Sequence, residues 1–418
     1  MSSSMPIRAG ATVSPRDQRG PDRRPWVLVF GALFVCAWSG NQFSPLLLMY
    51  RDVEHYSSAT VTLFLGVYVA GLAPALIIAG AVSDHLGRRL PMIAGVAFGV
   101  AGSALLAFDE LGQFPIIAGR LLAGMSVGTA MSVGTSWLKE LSTPPFDPAA
   151  DRGAGARRAS LAFTLGSASG ALIAGCIAQW GPIPQILPFI LHIAVSAPFL
   201  VLIGRTPETV RPQASAPISA RLRVTSARHR RFVRVVMICG PWLFVACGLS
   251  YGYQPVLLAD AAGGFGLAYA TLLSVIALGA GAAIQPLARR IDSQSSARGL
   301  IVALVILVVG MAVMLVAVTT DDLLVGVAAS VVLGCGFGIG LVSGLLEVQR
   351  IAPAHELAKL TGVFYAVAYT GFAVPTLLAA LTPPFTTVEL LLILAALLLV
   401  SLLVVIGGSR KHLPATLG

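Results

Sequence analysis

Twelve long apolar runs follow one another along the chain, and polar loops separate them. A helix that crosses the hydrocarbon core of a bilayer needs roughly 20 apolar residues, and each run is about that long. Strands of a β-barrel would be shorter and would alternate apolar with polar residues, which these runs do not do. We number the runs spans 1 to 12 and place them near residues 25–49, 58–81, 91–108, 114–137, 159–180, 184–203, 233–257, 265–286, 298–318, 323–347, 358–380 and 385–408.

The composition suits a protein that has lipid as its solvent. Of the 418 residues, 56% are apolar and only 11% are Asp, Glu, Lys or Arg. Few soluble folds combine so little charge with so much apolar content. We therefore expect an all-α integral membrane protein with twelve transmembrane helices. Arginine far outnumbers lysine, which occurs only at Lys139, Lys359 and Lys411, and this bias suggests GC-rich coding DNA, so we expect the inner membrane of a bacterium. The five cysteines all fall inside apolar runs, where they are expected to be small core residues.

Basic residues accumulate in every second loop. Arg88 and Arg89 follow span 2, and a dense group of arginines lies in the long loop after span 6. The intervening loops carry acids instead, such as Asp109 and Glu110. This alternation follows the positive-inside rule, so both chain termini are expected in the cytoplasm. The formal net charge of +10 is then a cytoplasmic bias, and no nucleic-acid partner is expected.

The longest interruption divides the spans six and six, and an internal repeat supports the division. An offset of 201 residues aligns Gly80 with Gly281 and Arg88 with Arg289, and an offset of 210 residues aligns Gly124 with Gly334. A repeat at a fixed offset indicates a duplicated structural unit. The predicted organisation is a cytoplasmic tail at 1–24, a six-helix bundle at 25–204, a cytoplasmic central loop at 205–232, a second six-helix bundle at 233–408 and a cytoplasmic tail at 409–418.

The stretch GAVSDHLGRR lies between spans 2 and 3. Gly80 lets two helices approach closely, and Gly87 lets the backbone turn where a side chain would clash. The pattern G-x-x-x-D-x-x-G-R-R in this place resembles the signature of the major facilitator superfamily. Span number, division into halves and central loop agree with it. The resemblance implies two pseudo-symmetric six-helix bundles around a central substrate site, without a cofactor.

The resemblance also implies a conformational latch formed by Gly80, Asp84, Gly87, Arg88 and Arg89. An aspartate is favoured at a helix N-terminus by the macrodipole. In the family, the motif aspartate lies against the start of span 11 and holds the cytoplasmic side shut, and Asp84 occupies that place here. The two arginines would join the charge network or contact anionic lipid. Alternatively, Asp84, His85, Arg88 and Arg89 are all ordinary anchors at the membrane edge.

The stretch GRLLAGMSVG in span 4 resembles a second motif of the family, with Arg120 as its arginine. An arginine at depth costs about 2.5–3.5 kcal/mol on insertion scales, so we expect Arg120 to face a cavity or a partner. The resemblance implies a link to proton movement, and snorkelling to the outer interface is the alternative. Span 5 lacks the Gly-Pro motif of the family's drug–proton antiporters, and span 1 contains no carboxylate. Coupling and direction therefore stay open.

Polar and aromatic residues deep in three spans are the candidates to line the substrate cavity, which lies at the midplane in this fold. A lining with little charge favours an uncharged or lipophilic ligand over a di-acid or a sugar phosphate. The alternative roles are interface-belt tyrosines and hydrogen bonds between helices. The candidates are Trp38, Asn41, Gln42 and Phe43 in span 1, Tyr251, Tyr253 and Gln254 in span 7, and Tyr365 and Tyr369 in span 11.

Two more ionisable residues fall inside spans. His192 in span 6 is expected to pack between helices rather than to carry protons. Glu347, near the cytoplasmic end of span 10, is expected to pair with Arg350.

These patterns favour a secondary transporter that exports a small neutral, lipophilic or amphipathic compound in exchange for protons. An uptake symporter for a neutral metabolite is the close alternative. A membrane-embedded transferase would need clustered carboxylates, and the Asp321–Asp322 pair has no third acidic partner nearby. No Walker or H-E-x-x-H sequence occurs. The expected partners are a small-molecule substrate, protons and membrane lipids, and the expected state is a monomer.

Overall fold

The computed structural model describes residues 24–52, 55–108, 112–150, 154–210, 224–353, 356–382, 384–411 and 413. Helices make up most of these residues, and no strand occurs among them. The predicted N-terminal tail, apart from its last residue, lies outside the described residues. The same is true of residues 211–223 of the central loop, of Asp109 and Glu110, and of most of the C-terminal tail beyond Lys411.

Within the described residues, twelve helices are long and apolar enough to cross a membrane, which confirms the predicted number and order of spans. The helix that contains span 2 begins at Ser58. The spans run over Trp26–Arg51, Gly66–Leu86, Arg89–Leu106, Gln113–Leu141, Ala154–Trp180, Leu187–Arg205, Phe232–Leu257, Ala259–Ile291, Arg298–Thr320, Leu323–Ile351, Lys359–Leu381 and Thr387–Gly408.

Spans 1, 7 and 11 are interrupted within their length. A proline adjoins each of these breaks. It has no N–H to donate, and its ring clashes with the carbonyl four residues earlier, so it allows regular α-helix to break there. The α-helical part of span 1 ends at Asn41, four residues before Pro45. The 3₁₀ turn at Ser44–Leu46 contains Pro45. The 3₁₀ turn at Thr370–Ala373 is followed by Pro375, and the π-helical turn at Gly248–Tyr253 is followed by Pro255.

Small residues let equivalent helices touch in the two halves. A side chain on Gly124 would lie 2.0 Å from the backbone oxygen of Tyr68, so spans 2 and 4 meet backbone to backbone. A side chain on Gly334 would lie 2.4 Å from the backbone oxygen of Ala277, which joins spans 8 and 10 in the same way. The two glycines are 210 residues apart. The repeat in the sequence therefore corresponds to a repeated helix contact.

The halves touch each other along spans 2 and 11 and along spans 5 and 8. We call the end that holds Arg24 and Lys411 the cytoplasmic end, following the positive-inside prediction. At the outer end, Arg51 Nη1 donates to the Val256 oxygen at 3.0 Å, and Gln179 Nε2 donates to the Gly264 oxygen at 2.8 Å. Towards the cytoplasmic end, Leu76 of span 2 contacts Gly362 of span 11. The halves are thus in contact on both sides of the midplane.

Candidate functional site

The turn between spans 2 and 3 is built around Gly87. Its φ of 90° is a left-handed conformation that a side chain would strain. A side chain there would also meet the Glu208 carboxylate at 2.6 Å. Glu208 accepts the backbone N–H groups of Arg88 and Arg89 at 2.8 and 3.0 Å. It therefore caps the start of span 3, where free amides and the helix dipole favour an anion.

Arg88 joins the ends of spans 2 and 4. Its Nη1 lies 3.0 Å from Asp84 Oδ1, and its Nη2 lies 2.8 Å from Glu140 Oε1. Glu140 also accepts a hydrogen bond from the Thr209 hydroxyl. Sequence reasoning missed Glu140 and Glu208. The only feature of the sequence that could have pointed to them is that both are acids near cytoplasmic ends of spans, where basic residues dominate.

Arg89 binds the start of the central loop. Its Nη2 donates to the backbone oxygen of Thr206 at 2.8 Å. Together with the Glu208 cap, this contact fixes residues 206–208 beneath the first half. Asp84, Arg88 and Arg89 thus form a connected polar network with Glu140 and Glu208 at the predicted cytoplasmic surface.

Asp84 lines a small cavity between the two halves. Its side chain is 47% exposed and its ion-pair partner is Arg88. Across the cavity lie Lys359 and Gly362, at the start of span 11, and Val224 from the distal end of the central loop. The cavity volume is about 60 Å³. That is well below the roughly 300–1,000 Å³ of ligand pockets, so this cavity is too small to be the substrate site.

Glu356, just before span 11, binds the distal end of the central loop. Its carboxylate accepts the Ser226 hydroxyl at 2.6 Å, the Ser226 amide at 2.8 Å and the Thr225 amide at 3.2 Å. These hydrogen bonds, those of Ser226 first, lower the pKa of Glu356 from 4.5 to about 2. Their stabilisation is therefore present above pH 4.5 and is lost only as the pH falls towards 2.

Arg120 is completely enclosed within the first half. Its Nε donates to the Phe64 oxygen at 3.0 Å, and its Nη1 donates to the Gly40 oxygen at 3.2 Å. Its guanidinium lies over the rings of Phe43 and Tyr68, with centroid distances of 4.6 and 4.7 Å. Arg120 thus faces a partner, as expected, and does not snorkel to the outer interface. Sequence reasoning did not identify Tyr68.

The polar residues of span 1 bind other helices of the first half. Asn41 Nδ2 donates to Ser167 Oγ in span 5 at 3.0 Å. Gln42 Nε2 donates to Ser103 Oγ in span 3 at 2.8 Å, and that hydroxyl lies 2.8 Å from His192 Nδ1 in span 6. The ring of Trp38 is 6.1 Å from the His192 ring. The structure thus places these candidates between helices of one half.

A buried aromatic cluster lies where the two halves meet. Tyr68 of span 2 approaches Tyr369 of span 11, with ring centroids 6.4 Å apart. The Tyr369 ring stacks on Phe244 of span 7 at 3.8 Å. The aromatic cluster comprises Tyr68, Phe244, Tyr251, Tyr365, Tyr369 and Phe372. Three of its members were candidates from the sequence. The two phenylalanines were missed because apolar residues carry no signal inside an apolar span.

Tyr253 and Gln254 lie within the second half, at its outer end. Gln254 Nε2 donates to the Gly326 oxygen of span 10 at 2.8 Å. The Tyr253 side chain lies beside Thr382 and Thr387, at the ends of spans 11 and 12. Both side chains therefore lie between helices of one half.

Glu347 does pair with Arg350, at 3.1 Å, but its main partner is Arg231. Arg231 Nε and Nη2 bind the two carboxylate oxygens at 2.5 and 2.7 Å. Arg231 is 0% exposed, and its Nη1 also donates to the Ser409 oxygen at 3.0 Å. The sequence assigned Arg231 to the central loop; the structure buries it where span 7 begins. Because both charges are enclosed, each supplies the counter-ion that the other needs.

The comparisons with known proteins agree with this architecture. A crystal structure of a POT family transporter in complex with 5-aminolevulinic acid has a TM-score of 0.76 and 14% identity, and covers 93% of this chain and 96% of that one. A crystal structure of the D-xylose–proton symporter has a TM-score of 0.66 and 18% identity, covering 95% and 98%. At such identities the likeness shows the fold alone.

Sequence relatives match shorter stretches. The multidrug efflux pump LfrA of Mycolicibacterium smegmatis is 34% identical over 180 residues, which are 40% of this chain and 33% of that protein. A quinate permease of Neurospora terricola is 41% identical over 100 residues, 22% of this chain and 19% of that protein. The matches thus span a third or less of these relatives.

A family model has a wider match. The model described as Major Facilitator Superfamily matches residues 28–376, from the first span into the eleventh. With twelve apolar helices among its described residues, the chain is a multi-pass membrane protein, and the matching family is one of transporters rather than enzymes. The chain belongs to the major facilitator superfamily.

Proposed function

We propose that the protein exports a small lipophilic or amphipathic compound across the cytoplasmic membrane in exchange for protons. The aromatic cluster between the halves carries this proposal. Five of its six members are buried and Tyr365 is partly buried. The cluster joins spans 2, 7 and 11 and offers ring faces and a few hydroxyls. Large aromatic faces bind apolar ligands over a wide area without demanding one polar pattern.

The cluster is placed to respond to alternating access. Tyr68 belongs to the first half, whereas Tyr369 and Phe244 belong to the second. Movement of one half against the other therefore changes the distance between their rings. A ligand that binds one arrangement better than the other shifts the population towards it. The similarity to a protein named as a multidrug efflux pump agrees with export of a compound of this kind.

The latch and the coupling residue complete the proposal. Asp84, across the small cavity from Lys359, stabilises the arrangement in which the cytoplasmic ends are closed. Arg120 keeps its proton under all physiological conditions, so its part in proton coupling is electrostatic. Both termini lie in the cytoplasm in this proposal.

Direction separates export from the alternative, uptake with protons. The test uses everted membrane vesicles whose lumen is acidified, and three radiolabelled probes of one shape: 2-naphthoate, 2-naphthamide and 2-naphthylmethylammonium. Vesicles without the protein give the passive distribution of each probe, and nigericin collapses the pH gradient. Export by antiport predicts that at least one probe accumulates in the lumen beyond its passive level, and only while the gradient persists.

Uptake by symport predicts the reverse result. A probe loaded into the lumen would then leave faster when the gradient is present. Gradient-dependent loss from the lumen would replace export by uptake. Movement of all three probes at passive rates, in vesicles that contain the folded protein, would contradict proton-driven transport of compounds of this class.

A further inference from the structure

We infer that Arg120 binds the anionic group of the substrate, and that the substrate is a lipophilic compound with a single carboxylate or similar anion. This inference rests on the proposed function and narrows it. The sequence favoured a neutral or lipophilic ligand because the candidate lining held little charge. The position of one arginine refines that expectation.

Arg120 lacks a counter-ion among the described residues. The ion pairs found there involve Arg88, Arg158, Arg231 and Arg350, each with a carboxylate, and none involves Arg120. Yet Arg120 is 0% exposed. A charge removed from water is strongly disfavoured unless an opposite charge accompanies it. The equally enclosed Arg231 meets this requirement with Glu347.

The groups around Arg120 compensate only part of its charge. The oxygens of Phe64 and Gly40 accept hydrogen bonds from two of its nitrogens. The faces of Phe43 and Tyr68 add cation–π attraction. Carbonyls and ring faces supply dipoles and quadrupoles but no net negative charge. Among the described residues, the surroundings of Arg120 therefore lack an anion.

Tyr68 connects this cation to the place where the halves separate. One of its faces covers the Arg120 guanidinium, and its ring contacts Tyr369 of the other half. When the halves move apart there, Tyr68 loses its partner and its ring is free to turn away from Arg120. A ligand carboxylate then reaches the guanidinium, while the ligand's apolar body lies on Tyr369 and Phe244.

The chemistry of the site selects the class of ligand. The planar guanidinium presents parallel N–H donors that match the two oxygens of a carboxylate. The aromatic cluster adds no charged side chain, so a second anionic group on the ligand would remain without a partner. One anion on an aromatic or aliphatic body therefore fits best, and a di-acid fits poorly.

The test measures binding of the three naphthalene probes to the purified full chain in detergent at pH 8, by isothermal titration calorimetry. The carboxylic acid is ionised at this pH, whereas the amide has nearly the same shape and no charge. We expect 2-naphthoate to bind at least tenfold more tightly than 2-naphthamide, and 2-naphthylmethylammonium to bind most weakly. Similar affinities for naphthoate and naphthamide, or no naphthoate binding at millimolar concentration, would overturn the inference.

Two variants test whether Arg120 causes the preference for naphthoate over naphthamide. Arg120→Gln should bring naphthoate down to the affinity of naphthamide, and Arg120→Lys should keep a preference because it keeps the charge. The control is Arg158→Gln. Arg158 also stacks on an aromatic ring, that of Trp26 at 3.8 Å, but it has Asp147 as its counter-ion. A naphthoate preference that survives in Arg120→Gln would place the anion elsewhere and contradict the inference.

The wild-type comparison stands even if a variant fails to fold, because it needs no substitution. It is also independent of direction and of protons, so it separates this inference from the proposed function. Transport of naphthamide but not of naphthoate in the vesicles would leave export intact and refute the anion site. Tight naphthoate binding without gradient-driven movement would leave the anion site intact and contradict proton-driven export.

Discussion

At the scale of single residues, burial cost predicted that Arg120 would meet a partner, and it does. The identity of the partner could not be predicted. The Gly40 oxygen that accepts from Arg120 lies at the point where span 1 loses its regular α-helix. The Tyr68 ring comes from another span altogether. Such contacts depend on how helices are arranged, which periodicity within one span does not reveal.

Two tyrosines that look equivalent in the sequence differ in the structure. Tyr369 stacks on Phe244 in the aromatic cluster, whereas Tyr253 lies beside Thr382 and Thr387. Tyr369→Ala should therefore weaken binding of the best naphthalene probe by about tenfold, since aromatic contacts contribute about 0.5–1.5 kcal/mol beyond area burial. Tyr253→Ala is the matched control.

The measurement is calorimetric titration of both variants, with expression and thermal stability as checks on folding. We expect the Tyr253→Ala protein to bind the probe as the wild type does. An unchanged affinity in the Tyr369→Ala protein would remove the substrate from the aromatic cluster. A larger loss in Tyr253→Ala than in Tyr369→Ala would place it at the outer end of the second half.

At the scale of elements, the helices were predictable because bilayer thickness fixes the length of an apolar run. The interruptions of spans 1, 7 and 11 were not predictable. Pro74 and Pro198 lie inside helices that continue past them, whereas the helix around Pro45 breaks. Neighbouring groups decide whether the freed carbonyls are compensated. The sequence therefore shows where a break is allowed, and the packing decides where it occurs.

The start of span 3 gives a prediction at this scale. Glu208 accepts the first amides of the helix, so Glu208→Ala should speed hydrogen exchange at Arg88 and Arg89. Loss of a cap costs about 0.5–2 kcal/mol, which corresponds to roughly a two- to thirtyfold faster exchange if local opening controls it.

The control uses a second glutamate that caps a helix start. Glu389 forms a capping box with Thr386 at the start of span 12. Glu389→Ala should speed exchange at the start of span 12 and leave Arg88 and Arg89 unchanged. Equal protection of Arg88 and Arg89 in the wild type and in Glu208→Ala, measured by mass spectrometry of peptides, would show that the cap contributes nothing there.

At the scale of the whole molecule, several weak patterns gave one consistent answer. Span number, alternating loop charge and the repeat all indicated two related halves, and helix contacts at Gly124 and Gly334 agree with the repeat. How closely the halves approach could not be inferred. That depends on contacts between residues far apart in the chain, such as Leu76 with Gly362 and Gln179 with Gly264.

The central claim is that the halves open alternately and that Asp84 holds the cytoplasmic end shut. Spin labels at Leu86 and Leu287 report on the cytoplasmic ends of spans 2 and 8, and labels at Phe108 and Leu324 report on the outer ends of spans 3 and 10. All four side chains are exposed. The five native cysteines are first replaced by alanine or serine.

Distances within each labelled pair are measured by pulsed electron resonance in the background protein and in Asp84→Asn, which keeps the shape and removes the charge. A charge near a helix end contributes roughly 0.3–2 kcal/mol, and 1.4 kcal/mol changes a population ratio about tenfold. The account predicts that Asp84→Asn increases the long-distance population of the cytoplasmic pair and decreases that of the outer pair. Unchanged distributions in both pairs alongside normal transport, or widening of both pairs together, would contradict it.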